Sequence, residues 1–197
     1  MAIAGIDYSL RGPSICIFNG EPGDVFCFES CVFYYLTDVK KYAKTFLGNI
    51  HGALLSTVEA DMDRYDSISS WGVEKIMKHG CTEVGLEGYS YGSKGKVFHI
   101  AENTGVLKYK LWQHYLPIDI IAPTTVKKEA TGKGNADKAG MHKFFLIETG
   151  QDLKRKITPL KKGVTSPISD IVDSYYVCKC LYRNLRYDKP SYWFYKV

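Results

Sequence analysis

Four carboxylates stand out in this chain by where they fall. Asp7 closes the apolar run AIAGID, Glu87 closes a second such run, TEVGLE, and Asp170 and Asp173 stand three residues apart in SDIVDSYYV. Residues three apart share one helical face, so all four acids meet if the two strands are neighbours and the helix packs across them. A cluster of that kind repels itself unless cations bind. An all-oxygen donor set suits hard ions, Mg²⁺ or Mn²⁺, rather than zinc. Two such ions roughly 3.5–4 Å apart can clamp an in-line attack of water on a phosphodiester, which is the chemistry of metal-dependent nucleases. Taken singly, each acid also has an ordinary reading. Asp7 could cap a turn, Asp170 could be favourable charge in a first helical turn, and Glu87 could pair with Lys94 or Lys96 just beyond it. Asp173 is the hardest to explain that way, because Ile171, Val172, Tyr175 and Tyr176 mark a buried helix and buried acids need partners.

The elements that must position these residues are legible as apolar runs and punctuation. Residues 2–10, 13–20 and 24–36 read as three strands of an antiparallel meander, the second ending in Asn-Gly. A helix is expected over 37–62 with Thr37 as its N-cap, although Gly48 and Gly52 weaken it. A second helix over 67–80 stops at Gly80 and leads into a strand at 82–88. A helix at 98–116, a strand at 118–123 closed by proline, a helix at 136–150 ended by Gly150, a basic loop at 151–166 and a last helix at 167–185 follow. Pro167 suits the first turn of that last helix. The order indicates an α/β protein with a mixed central sheet flanked by helices.

Length and composition fit one folded unit. With 197 residues and 45% hydrophobic side chains, the chain can bury one sizeable core. Residues 1–186 are assigned to it, and 187–197 to an aromatic C-terminal tail. No apolar run is long enough to span a membrane and no signal peptide precedes the first strand, so a cytoplasmic protein is expected. Six cysteines lack both zinc-site spacing and the density of a disulfide scaffold. The net charge of +5 is modest, but much of it is concentrated in VKKEATGKGNADK (126–138) and LKRKITPLKKG (153–163), stretches that would attract a phosphate backbone. His99, His114 and His142 are too scattered to read as ligands.

Taken together, GIDYS with Asp7, GLEGYS with Glu87, TTVKKEATGKGNADK, and SDIVDSYYV with Asp170 and Asp173 resemble the RuvC family of Holliday junction resolvases, especially its bacteriophage members. The resemblance runs in the same order over nearly the whole chain. It implies a ribonuclease H-like fold, with Asp7, Glu87, Asp170 and Asp173 holding two Mg²⁺ or Mn²⁺ ions per active site. It also implies two lysines near that site, eleven positions apart across a Gly-x-Gly turn. Lys127 and Lys138, flanking Gly-Lys-Gly with Lys133 at its centre, fit that spacing. Lys138 is then assigned to catalysis, and Lys127, Lys133 and Lys138 to DNA. The family places an aromatic wedge shortly after the catalytic Glu; here Tyr89 and Tyr91 bracket the expected position, which is Ser90. Either ring could stack on a base or pack in the core. Lys94 and Lys96 lie on a basic loop able to follow a backbone.

The function implied is a metal-dependent, structure-selective endodeoxyribonuclease. It would act on branched DNA as a homodimer, in the cytoplasm of a bacterium or a phage-infected host. The alternative is a non-catalytic branched-DNA-binding protein of the same fold. A gathering of four acids argues against it, since a pure binder of polyanions gains nothing from negative charge at its DNA face. An ATP-binding protein of the actin type also begins on an Asp-bearing hairpin, but normally needs two such domains, more than 197 residues supply.

Overall fold

Alternation along the first strand divides the molecule into two cores. In β1 (Ala2–Asp7) the side chain of Ile3 enters one core while Ala4 and Ile6 enter the other. Cys16 and Phe18 are separated in the same way from Ile15 and Ile17 in β2 (Ser14–Asn19), as the two-residue period of a strand requires. The computed structural model describes residues 1–20, 23–89 and 97–187. Five further strands complete the sheet: β3 (Cys31–Thr37), β4 (Thr45–Phe46), β5 (Ile50–Leu54), β6 (Cys81–Glu87) and β7 (Ile118–Ile121). Their order is β4-β5-β3-β2-β1-β6-β7. β1 pairs with β6 in parallel and with β2 antiparallel, so β1, β3, β5, β6 and β7 run one way and β2 and β4 the other.

Among the described residues six α-helices cover the two faces. α1 (Asp61–Lys78) and α2 (Val97–Gln113) lie on one face, contributing Ile68, Val73 and Ile76, and Leu107 and Leu111. α3 (Pro123–Thr131), α4 (Lys138–Thr149), the short α5 (Leu153–Ile157) and the long α6 (Ile168–Tyr187) occupy the other. Among the described residues no helix is long and apolar enough to cross a membrane. The six cysteines are free thiols.

Helix α6 lies against β1 and β6 because two glycines let it. Gly5 and Gly85 are register partners on adjacent strands. A β-carbon on Gly5 would stand 2.1 Å from the Cys178 backbone nitrogen, and one on Gly85 would stand 3.2 Å from Leu181 Cβ. The first is impossible without moving the helix. The second asks side chains to give by a few tenths of an ångström.

The segment expected to form a helix over 37–62 does not. Thr37 ends β3, its hydroxyl accepting from the Val39 amide at 3.2 Å, and a 3₁₀ turn at Lys40–Tyr42 precedes the β4–β5 hairpin. Tyr42, Phe46, Ile50 and Leu54 recur every four residues, which mimics a helical stripe. Positive φ at Leu47 and Gly48 (53° and 80°) turns the hairpin instead, and β5 gains a parallel ladder with β3. Gly52 is required there, because a β-carbon would lie 2.4 Å from the Tyr42 carbonyl oxygen. Three smaller differences accompany this one. The strand expected from residue 24 begins at Cys31, after a 3₁₀ turn at Phe28–Ser30. The basic stretch after residue 122 holds α3, and the expected loop at 151–166 holds α5.

Gly5→Ala is expected to cost at least about 3 kcal/mol or to prevent folding, Gly85→Ala about 1–2 kcal/mol. Gly105→Ala, at an open position inside α2, is expected to stabilise by about 0.5–1 kcal/mol. Urea unfolding of the three variants checks the ranking.

Candidate active site

Asp7 and Glu87 are the last residues of the adjacent parallel strands β1 and β6, next to the paired Ile6 and Leu86. Each lies two positions beyond a glycine that faces α6, so strand alternation directs both carboxylates to the α6 side. Asp170 lies in the first turn of α6 and Asp173 follows one turn later. The flanking Ile171, Val172, Tyr175 and Tyr176 are buried, which fixes the helix rotation that brings the two acids to the strand ends. All four acids remain partly solvent-accessible. The site therefore opens to solvent at the C-terminal ends of parallel strands, where α/β sheets generally bind ligands.

The carboxylates act on one another. Burial, then the charges of Glu87, Asp170 and Asp173, push Asp7 well above the ordinary carboxylate range, and Lys138 opposes them. Glu87 is pushed up to about 7 by burial and Asp173, against Lys127 and Lys138. Asp173 reaches about 7 through burial and Asp170, again against both lysines. Burial also raises Asp170, but hydrogen bonds from Ser166 and Ser169 and the charges of Lys138 and Lys161 pull it back. Among the described residues no three His, Cys, Asp or Glu side chains close around a common point as a ready-made ion cage. The arrangement is an open cluster of mutually repelling oxygens.

Asp170 is held on both oxygens. The Ser166 hydroxyl donates to Oδ2 at 2.5 Å and the Ser169 hydroxyl to Oδ1 at 2.9 Å. Lys138 Nζ donates to Ser169 Oγ at 3.3 Å, and Lys161 Nζ donates to the Ser166 carbonyl at 2.9 Å. Each carboxylate oxygen is thus linked through a serine to an ammonium group. These serines escaped the sequence reading; the only signal for them was a pair of hydroxyl residues one and four positions before Asp170.

The lysines owe their placement to how α3 and α4 are fastened to α6. Glu148 of α4 accepts from Tyr175 at 2.8 Å, Tyr176 at 3.2 Å and Lys179 at 2.6 Å. Glu129 of α3 pairs with Arg183 and, at 3.9 Å, with Lys179. Lys127 and Lys138 are close enough for their charges to act on Glu87 and Asp173. Lys133 does not belong to that group. It stands exposed on the turn between them, where Gly132 takes a left-handed conformation (φ 75°) and Lys133 N donates to Thr131 Oγ1.

Tyr89 is exposed, with the Lys108 ammonium 5.5 Å from its ring centroid, so it is not a core residue. Tyr91, Lys94 and Lys96, together with Ser90 and the tail beyond residue 187, lie outside the described residues. Two of the three histidines have ordinary partners: His142 Nε2 accepts from the Lys154 amide and His99 Nδ1 meets the Tyr65 hydroxyl, while His114 is exposed.

No protein-family model and no curated protein matches the chain. Solved structures do. Thermus thermophilus RuvC matches at a TM-score of 0.61 and 16% identity, over 93% of this chain and 96% of that one. The fold is that of RuvC. The same protein in complex with a Holliday junction substrate gives 0.63 and 15%, over 94% and 97%. Fowlpox virus resolvase in complex with substrate Holliday junction DNA gives 0.52 and 13%, over 94% and 99%. The yeast mitochondrial Holliday junction resolvase Ydc2 gives 0.51 and 13%, over 93% and 81%. The ribonuclease H-like fold expected from the sequence is therefore present.

Two measurements probe the electrostatics. Glu87 and Asp173 bind protons more tightly folded than unfolded, so their contribution to stability is full below about pH 4 and is lost as pH rises through about 7. In EDTA, Tm is expected to fall between pH 5 and 8, and Asp173→Asn is expected to raise Tm at pH 8 by roughly 2–5 °C. Carboxyl NMR titration is expected to give Asp170 a higher pKa in Ser166→Ala and in Ser169→Ala than in the wild type.

Proposed function

We propose that the chain is a metal-dependent endonuclease that hydrolyses phosphodiester bonds in branched DNA such as Holliday junctions. The observation that carries this reading is the convergence of Asp7, Glu87, Asp170 and Asp173 on one solvent-facing site, with Lys127 and Lys138 beside it, on the fold of RuvC. The donor set fits a divalent cation. It is all oxygen, partly buried and self-repelling, so hard positive charge would relieve the repulsion that lifts its pKa values. The four carboxylates would hold two Mg²⁺ or Mn²⁺ ions, which when bound activate the attacking water and stabilise the leaving oxygen.

The protein's own groups do the rest. Gly5 and Gly85 set the distance between strand ends and helix, and the serines keep Asp170 oriented. Lys138, steadied by Ser169, faces the phosphate whose charge grows as water adds to phosphorus and a P–O bond breaks. Lys127 binds the same phosphate or its neighbour. Lys133, Lys94 and Lys96 contact the backbone, and Tyr89 or Tyr91 stacks on an unpaired base. A junction carries two equivalent strands to be cut, so a two-fold homodimer is the matching assembly. The location that goes with this reading is the cytoplasm of a bacterium or of a phage-infected host.

The test is cleavage of synthetic four-way junctions, Y-forks and duplexes with Mg²⁺ or Mn²⁺. Asp7→Asn and Glu87→Gln are expected to abolish cutting while leaving junction binding in place, and Lys138→Gln to slow it by about 10²-fold. Junction binding by the wild type without any cutting would instead favour a non-catalytic binding protein.

A further inference from the structure

Beside the acidic site, at the sheet edge, stands a set of lysines that the cleavage chemistry does not use. The 3₁₀ turn Lys40–Tyr42 follows the C-terminal end of β3. β3 runs parallel to β1, so this turn lies at the same end of the sheet as Asp7. Tyr42 belongs to the core on the α6 side, so it also lies on the same face. Position and face therefore coincide with the site, although the segment is distant from it in sequence.

Lys161 joins the two regions. Its ammonium is 5.0 Å from the centroid of the Tyr42 ring, and it also donates to the carbonyl of Ser166, the residue bound to Asp170. Lys41 places a second ammonium 5.0 Å from the same ring, and Lys44 lies 5.2 Å from the ring of Phe46 in β4. Lys41 and Lys44 are exposed. Among the described residues none of the three has a carboxylate within salt-bridge distance. Buried Tyr42 thus gathers Lys41 and Lys161, with Lys44 beside them on Phe46; Lys161 also acts on Asp170, while Lys41 and Lys44 have no ion-pair partner among the described residues. An external polyanion supplies what the fold leaves out.

We infer that Lys41 and Lys44, continued by Lys161, form a backbone-binding strip on the β4–β5 edge that takes the phosphates of the DNA arm leaving the carboxylate site. Four strand spacings separate β1 from β4 in the sheet order, about 19 Å at ~4.8 Å each. That is five to six base steps of duplex at 3.4 Å per step. The strip extends the footprint away from the cut without touching the reacting phosphate. It contacts phosphate only, so it is blind to sequence. The inference rests on the branched-DNA reading above and adds a second contact region to it.

The experiment measures binding of a fluorescent four-way junction in Ca²⁺ between 50 and 300 mM salt, for wild type, Lys41→Gln/Lys44→Gln, and Lys75→Gln/Lys78→Gln on α1 at the opposite face. The edge variant is expected to bind about 5- to 20-fold more weakly at low salt, with a log–log salt slope shallower by about 1–2. The α1 variant is expected to match the wild type. Single-turnover cleavage at saturating protein is expected to be unchanged in both. An edge variant with wild-type affinity and slope, or an α1 variant that loses as much, overturns the strip and leaves the nuclease reading standing. A wild type that binds no branched DNA overturns both.

Discussion

Helix α6 approaches the sheet so closely that the Cys178 backbone occupies space a side chain on Gly5 would fill. That contact fixes more than packing. The helix carries Asp170 and Asp173, the strands beneath it end in Asp7 and Glu87, and the separation of the two pairs is set by what lies between them. A bulkier residue at Gly5 would lift the helix and open the cluster. The missing side chains at Gly5 and Gly85 give up strand propensity and packing area, and what they secure is a helix against β1 and β6 with four acids at one edge of the contact.

Holding those acids together is costly to the folded chain, because burial raises all four and the charges of neighbouring carboxylates add to it at Asp7, Glu87 and Asp173. Opposing charges are built in nearby. Lys127 and Lys138 come from α3 and α4, and each of those helices is tied to α6 by its own acid, Glu129 or Glu148. The tyrosine hydroxyls of Tyr175 and Tyr176 share Glu148, so the same helix that presents the acids also fixes the lysines. Ser166 and Ser169 finish the arrangement by satisfying both oxygens of Asp170. Both oxygens of Asp170 therefore have their partners without any ligand.

Two groups of lysines outside the site, among the described residues, follow different logic. The turn bearing Lys133 is a local feature, dictated by Gly132 at the end of α3. The sheet edge is a tertiary feature: Lys41 and Lys161 are 120 residues apart in the sequence and share Tyr42 only because β3 and α6 lie on the same core.

Much of this was legible in the sequence, and the reason is period. Alternating apolar runs ending in Asp7 and Glu87, and a buried helical stripe interrupted by Asp170 and Asp173, specify faces without reference to the rest of the chain. Glycines at 80 and 150 likewise stop their helices locally. The 37–62 segment was misread because Tyr42, Phe46 and Ile50 recur at helical spacing, while the partner that makes a strand of Ile50–Leu54 is β3, and a ladder to another strand leaves no mark within the segment itself. Local pattern thus determined which residues are acids on buried elements. Only the tertiary structure decided that Ser166, Ser169 and Lys161 attend Asp170 and that Lys133 stands apart, because side-chain contacts depend on how helices pack, and packing is settled by the whole chain at once.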